Sequence, residues 1–217
     1  MAQDDGEPAW LGWAMRLQTM AQTGLTYARD PHDIGRYHEI AEIAAGLLAR
    51  GTGTPLAQVR DVFAHETGHA TPKVDVRTAV FRDGAQGSEI LLVREMSDGF
   101  WTLPGGWADV GESPSEAAAR EVLEESGYVV RITRILALFD KRKHAHPPQA
   151  FYVYKLFFAA EVIGTDGTKG DGRETNGVAF FPRDKLPPLS LKRALPSQIE
   201  QLFVLHAAGD MAPALFD

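Results

Sequence analysis

The stretch Gly106–Tyr128, GWADVGESPSEAAAREVLEESGY, constrains this chain more than any other. It joins a glycine turn to a complete helix start and to three closely spaced carboxylates. Ser113 can cap, Pro114 suits the first helical position, and Glu116 can return a bond to the Ser113 N–H. The run from Glu116 to Ser126 contains no helix breaker, and Gly127 offers a left-handed end. At about 100° per residue, Glu121, Glu124 and Glu125 fall within one arc of about 100°. Ala119, Val122, Leu123 and Ser126 gather opposite as the expected core face, so the carboxylates are expected on the solvent side. Like charges at i, i+3 and i, i+4 repel on a bare helix. A divalent cation reverses that sign, and carboxylate oxygens suit hard cations such as Mg²⁺. A solvated acidic face is the plain alternative. The preceding turn favours a ligand, because Gly105 and Gly106 permit close backbone approach. Arg120, at i−4 from Glu124, can orient one carboxylate.

Around this stretch the chain changes character once. From Pro8 to about residue 70 the apolar spacing is helical: Trp10, Leu11, Ala14, Leu17 and Ala21, then Ile34, Tyr37, Ala41, Ala44 and Leu48, then Leu56, Val59 and Phe63. Gly24 is expected near the end of the first helix and Gly51 as the C-cap of the second, which Asp30-Pro31 starts. Three helices suggest a helix-turn-helix reader of DNA. Residues 1–72 hold five Arg, no Lys and nine Asp or Glu, which excludes it. A module for dimerisation or for covering a pocket is the better expectation. The net charge of −7 also opposes binding of nucleic acid. With no Cys there are neither disulfides nor thiolate sites. No apolar run matches a membrane span or a secretory signal, so a soluble, cytoplasmic protein is expected.

His65-Glu66-Thr67-Gly68-His69 matches the zinc pattern H-E-x-x-H. Gly68 and the following Thr71-Pro72 break the helix that such a site needs, so a helix end is expected instead. Strands are expected from Lys73 to Val80, over Glu89–Val93, Phe100–Leu103, Tyr128–Phe139 (one strand or two), Ala150–Val162 and Val178–Phe181. The last of these is the expected final strand, followed by a closing helix over Pro196–His206. Lys141–Pro148 reads as a basic loop and Gly164–Gly177 as a polar one.

Gly106, five residues, Glu112, seven residues, Arg120-Glu121-Val122, one residue, Glu124-Glu125, one residue, Gly127-Tyr128 resembles the signature of the Nudix hydrolases. Only Tyr128 departs, where an aliphatic residue is usual. The resemblance implies an α/β/α sandwich with a mixed sheet over 71–217, preceded by a small all-helical domain over 1–70. It implies Mg²⁺ or Mn²⁺ held by Glu121, Glu124, Glu125 and the Gly106 carbonyl, with Glu112 supporting the loop. The implied reaction is hydrolysis of a nucleoside diphosphate linked to another moiety. A general base is needed, either a carboxylate of the signature such as Glu124 or one on a later loop, where Glu174 is the outside candidate. The helical segment, PKVDVRTAVF and KHAHPP resemble a bacterial subgroup that includes CDP-choline pyrophosphatases, which implies a homodimer and cleavage to CMP and phosphocholine. ADP-ribose or a nucleotide sugar is the alternative substrate, and a non-catalytic nucleotide sensor the alternative class. A choline group calls for aromatic partners, for which Trp10, Trp13, Tyr27, Tyr37, Trp101 and Trp107 are available. Arg77, Lys143 and His144 are candidates for contact with substrate phosphate.

Overall fold

The computed structural model describes residues 8–85, 87–165, 172 and 174–217. They form two compact units, Met1–Pro72 with Pro148–Tyr152, and Lys73–Pro147 with Val153–Asp217.

The first unit is built from α1 (Ala9–Tyr27), α2 (Pro31–Thr52) and α3 (Leu56–Ala64). Asp30 Oδ1 accepts the His32 and Asp33 N–H groups at 2.9 and 3.2 Å, with Pro31 opening the helix. Leu11, Ala14 and Met15 of α1 bury themselves against Ala45 and Leu48 of α2 and Val59 of α3. Gly24 lies in the last turn of α1, as expected, while Gly51, the expected cap, lies inside α2. The Tyr37 ring stands where a Cβ on Gly24 would sit (2.3 Å), and the Trp10 ring does the same at Gly51 (2.2 Å). These glycines admit a ring against a helix. It is Gly53, at φ 73°, that ends α2. Beyond α3 the chain leaves the helix at His65, whose Nδ1 lies 2.7 Å from the Asp61 carbonyl, and Gly68 takes φ 81°. His65 and His69 therefore share no helix face, and the zinc pattern has no site to serve.

The second unit contains β1 (Lys73–Gly84), β2 (Gly87–Glu95), β3 (Trp101–Thr102), α4 (Pro114–Ser126), β4 (Tyr128–Asp140), β5 (Val153–Thr165), β6 (Thr175–Pro182), α5 (Pro196–Ala207) and β7 (Leu215–Phe216). The strand order is β3-β2-β1-β5-β4-β7, and β6 also pairs with β2. β1 serves two partners. Lys73–Val80 runs parallel to Val153–Ala160, while Phe81–Gly84 turns into an antiparallel hairpin with β2. The sheet is therefore mixed. Tyr128–Asp140 is one continuous strand, and β7, which no sequence pattern announced, adds to it in parallel. Residues 166–171 and 173 of the expected polar loop lie outside the described residues.

The period-2 alternation of β1 assigns its two faces. Val76 and Val80 face the α4 side, among Ala117, Ala118, Val122 and Phe158. Ala79 lies on the other side with Phe139, Phe157 and the α5 residues Ile199, Leu202 and Phe203. Helix, sheet and helix thus form the expected α/β/α layers. Tyr128 sets its ring edge-on to Phe180 at 5.8 Å, which accommodates the larger side chain at that position.

Candidate active site

The local signals around α4 produce the local structure. The Ser113 N–H donates to Glu116 Oε2 (2.8 Å), and Ser113 Oγ accepts the Glu116 N–H (3.3 Å). Gly127 ends the helix at φ 74°. The buried face is turned from the expected one. It consists of Ala117, Ala118, Val122, Glu125 and Ser126, while Leu123 is only half-buried. Glu125, expected on the solvent side, is 5% exposed. The reason is a bond outside the helix: Glu125 Oε2 accepts the Gly105 N–H at 2.8 Å. Burial pushes its pKa up to about 8, against the opposing pull of Arg77 and of the Gly105 N–H. Glu121 is half-buried, which raises its pKa too, and Glu124 is exposed.

Arg120 ties these carboxylates together. Its Nε donates to both Glu112 oxygens (2.9 and 3.1 Å), and its Nη1 to Glu121 Oε1 (3.1 Å) and Glu124 Oε2 (2.9 Å). The Glu112 bond, followed by Glu121 and Glu124, raises the Arg120 pKa despite partial desolvation. Among the described residues no three carboxylate or imidazole groups form a ready metal cage. A guanidinium stands between the carboxylates on α4, and the fourth carboxylate, Glu125, is turned to the glycine loop. The donors nonetheless fit a hard divalent cation, being oxygens throughout. Gly106 lets the Glu121 carboxylate come close to the loop backbone: a Cβ there would lie 2.9 Å from Glu121 Oε1.

The glycine loop lies along β1. The Gly106 carbonyl accepts the Val76 N–H (2.8 Å), the Pro104 carbonyl accepts Thr78 N–H (2.9 Å), and Ala108 N–H donates to the Val74 carbonyl (3.0 Å). Gly105 sits at φ 142°, and a Cβ there would meet the Val76 carbonyl oxygen at 2.0 Å. A carbonyl oxygen has two lone pairs, so Gly106 retains one for a metal.

Arg77, expected to face substrate, is 5% exposed and committed inside the protein. Its Nε donates to Asp75 Oδ1 (2.8 Å) and its Nη1 to the Leu103 carbonyl (3.1 Å). Asp75 Oδ2 in turn accepts from the Nζ of Lys155, a side chain with no exposure. Burial works to raise the Asp75 pKa, but Arg77 and Lys155 outweigh it and hold the carboxylate below its usual range. Burial brings Lys155 down to about 8. Sequence reading missed both Asp75 and Lys155. The available signal was a single Lys inside the apolar run of β5 and an Asp two residues before Arg77.

Glu174 is exposed, yet its backbone is tied down. Its carbonyl accepts the Met96 N–H (2.8 Å), and the next residue, Thr175, donates its hydroxyl to the Glu125 carbonyl (3.0 Å). The later loop therefore meets the end of α4. The basic loop differs from expectation. Asp140 Oδ1 accepts the Arg142 N–H (3.0 Å), starting a 3₁₀ turn over Lys141–Lys143 that buries Lys141 and exposes Lys143. Burial lowers Lys141 to about 8. His144 is not free for phosphate: its Nε2 lies 3.0 Å from Asp217 Oδ1 and its ring 4.3 Å from that of Phe139. His146 places Nδ1 2.7 Å from the Leu191 carbonyl and Nε2 3.1 Å from Gln198 Nε2, so Nδ1 carries the proton. Burial lowers its pKa to about 4. Of the aromatic candidates, Trp10 and Tyr37 pack on glycines and Trp101 meets Phe181 edge-on at 4.8 Å. Trp13 and Tyr27 are exposed in the helical unit, and Trp107, 50% exposed, directly follows Gly106.

Residues 8–63 match the family described as a UDP-X-like, N-terminal oligomerisation domain, and residues 71–202 match the NUDIX domain. YjhB of Bacillus subtilis, provisionally named an ADP-ribose pyrophosphatase, is 45% identical over 89% of this chain and 90% of its own length. A solved UDP-X diphosphatase is 29% identical with a TM-score of 0.61, covering 96% of this chain and 98% of that one. An ADP-ribose pyrophosphatase from Streptococcus suis is 36% identical with a TM-score of 0.57, covering 68% of this chain and 100% of its own. With the signature folded on α4 and the glycine loop beside it, the chain belongs to the NUDIX family and is a Nudix hydrolase.

Proposed function

We propose that this chain is a divalent-metal-dependent pyrophosphatase for a nucleoside diphosphate joined to a second moiety, with ADP-ribose as its first substrate. The observation that carries this reading is the pair of α4 carboxylates, Glu121 and Glu125, set against the Gly105-Gly106 loop, with Glu124 linked to Glu121 through Arg120. Glu121, Glu124, Glu125 and the Gly106 carbonyl hold Mg²⁺ or Mn²⁺. When bound, the metal neutralises diphosphate charge and activates water for attack on phosphorus. On this reading Arg120 holds Glu121 and Glu124 together in the metal-free protein and, still anchored on Glu112, yields them when a cation binds. Glu174 takes the proton of the attacking water; its tether to the end of α4 supports that role over one confined to a free loop. Glu124, the exposed carboxylate of the signature, is the competing base. Trp107 offers a ring to the substrate beside the loop.

The names of the relatives favour ADP-ribose, with UDP-linked compounds next. CDP-choline, which the helical segment and KHAHPP suggested, finds no specific support among them and belongs in the same panel. The match of residues 8–63 to an oligomerisation domain supports a homodimer. The test is hydrolysis of ADP-ribose, UDP-glucose and CDP-choline in H₂¹⁸O with Mg²⁺ or with EDTA, products read by mass spectrometry. The expected result is metal-dependent cleavage between the phosphorus atoms, fastest for ADP-ribose. No cleavage of any of the three, or cleavage that persists in EDTA, overturns the reading.

A further inference from the structure

Lys155 stands out among the buried polar residues because the chemistry already described gives it no task. It has no exposed surface, so substrate cannot touch it. Phe139, with which it pairs, and Phe157 on the same strand face belong to the apolar core, and the buried Lys141 adds another cation beside Asp75. Burying an ammonium is costly, and replacing a whole buried ion pair or triad by well-packed apolar side chains is often neutral or stabilising. Stability alone is therefore a poor account of a lysine here.

Its contacts run toward the glycine loop. Lys155 pairs across the sheet with Asp75, and Asp75 forms a bridge with Trp107 on its other side. The ammonium holds Asp75 Oδ2, Asp75 Oδ1 holds Arg77 Nε at 2.8 Å, and Arg77 Nη1 holds the Leu103 carbonyl at 3.1 Å. Leu103 is the residue from which the Pro104-Gly105-Gly106 run departs. Two cations share one carboxylate, so Asp75 cannot turn away from either without leaving a buried charge unpaired.

We propose that Lys155 is a positioning residue for the metal loop, acting through Asp75 and Arg77 on the Leu103 carbonyl and so on the placement of the Gly106 carbonyl. The proposal rests on the reading that Glu121, Glu124, Glu125 and Gly106 hold a divalent cation. Residues behind metal ligands set ligand orientation and cost about tenfold to a hundredfold in affinity when lost.

The test is titration of the full chain with Mn²⁺, free ion followed by electron paramagnetic resonance, alongside thermal melting. Lys155→Met is expected to bind Mn²⁺ about tenfold more weakly and, having lost one partner of Asp75, to melt at a lower temperature while still folding, because Asp75 keeps Arg77. Leu202→Ala, a core deletion on α5, should lower the melting temperature and leave Mn²⁺ affinity unchanged. Arg77→Lys keeps the charge but loses the fork to Leu103. It should weaken Mn²⁺ similarly, and the double variant should be no weaker than either single one. Lys155→Met within twofold of the unsubstituted protein overturns the proposal; should that variant not fold, Arg77→Lys with unchanged affinity overturns it. Failure of the unsubstituted protein to bind Mn²⁺ overturns the reading of the site itself, and the relay with it.

Discussion

Two groups of charged side chains border the same glycine loop, and they are built in opposite ways. On α4, one cation, Arg120, is shared by Glu112, Glu121 and Glu124, and its side chain is 27% exposed. On the sheet, one carboxylate, Asp75, is shared by Arg77 and Lys155, with exposures of 8%, 6% and 0%. The first group carries surplus negative charge and is open to water, so its cation can be exchanged for a metal. The second carries surplus positive charge and is closed, so its partners are fixed. One group is suited to change when a ligand arrives, and the other to hold the loop still while it does. Glu125 lies between them: it belongs to α4 by sequence but is buried like the sheet group and bonded to the loop.

Glu125→Gln probes that boundary residue and should give the largest effect. A lost metal ligand costs more than the tenfold to hundredfold typical of residues behind ligands, so steady-state hydrolysis should fall by at least about a hundredfold. With a pKa near 8 the metal-free side chain is already neutral at pH 7. An amide should therefore preserve the fold, and melting curves should shift little. Unchanged turnover would place Glu125 with the structural group alone.

Acidity gives the next effect. Below pH 8 a proton holds Glu125 neutral, and Mn²⁺ must displace it. Affinity should fall as pH drops from 8 to 6.5, with a limit of about tenfold per pH unit for one proton. Calorimetric titration in buffers of different ionisation enthalpy would detect the released proton. The same slope in Glu125→Gln would assign the proton elsewhere.

A smaller effect concerns stability. The His146 pKa is lowered from 6.5 to about 4 by burial, so the native state is neutral where the unfolded chain binds a proton. The unfolded state binds more protons between pH 4 and 6.5, and stability is lost as pH falls through that window. Urea unfolding of His146→Gln should show a shallower loss over the same range. The smallest effect is expected at Lys143. It is exposed on the turn that buries Lys141, so Lys143→Ala should change kcat/KM by less than about twofold. A larger loss would return the basic loop to the substrate site.

The contrast between the two charged groups also explains what the sequence could reveal. The α4 group lies within Glu112–Glu124, where helix spacing brings Arg120, Glu121 and Glu124 together and Glu112 stands just before the cap, and the cap at Ser113 and the end at Gly127 are local signals. The layered fold was legible for a similar reason, since strand and helix periods are local. The sheet group joins residues 80 positions apart, Asp75 and Lys155, through strand pairing that no local pattern records. Glu125 was misplaced because a helical wheel counts only apolar residues as core and cannot see a backbone N–H waiting at Gly105. Gly51 was read as a helix cap because glycine gives the same letter for a left-handed cap and for a surface that admits a ring. The inward turn of Lys141 depends on the Asp140 cap, and β7 on a pairing partner 78 residues away.

The exchange of cations at α4 is the central claim, and anomalous diffraction from crystals grown with Mn²⁺ tests it most directly. The account predicts manganese bonded to oxygens of Glu121, Glu124 and Glu125 and to the Gly106 carbonyl, with Arg120 released from Glu121 and Glu124 and still paired with Glu112. Manganese bound elsewhere, or an Arg120 still spanning all three carboxylates beside an empty loop, would contradict it.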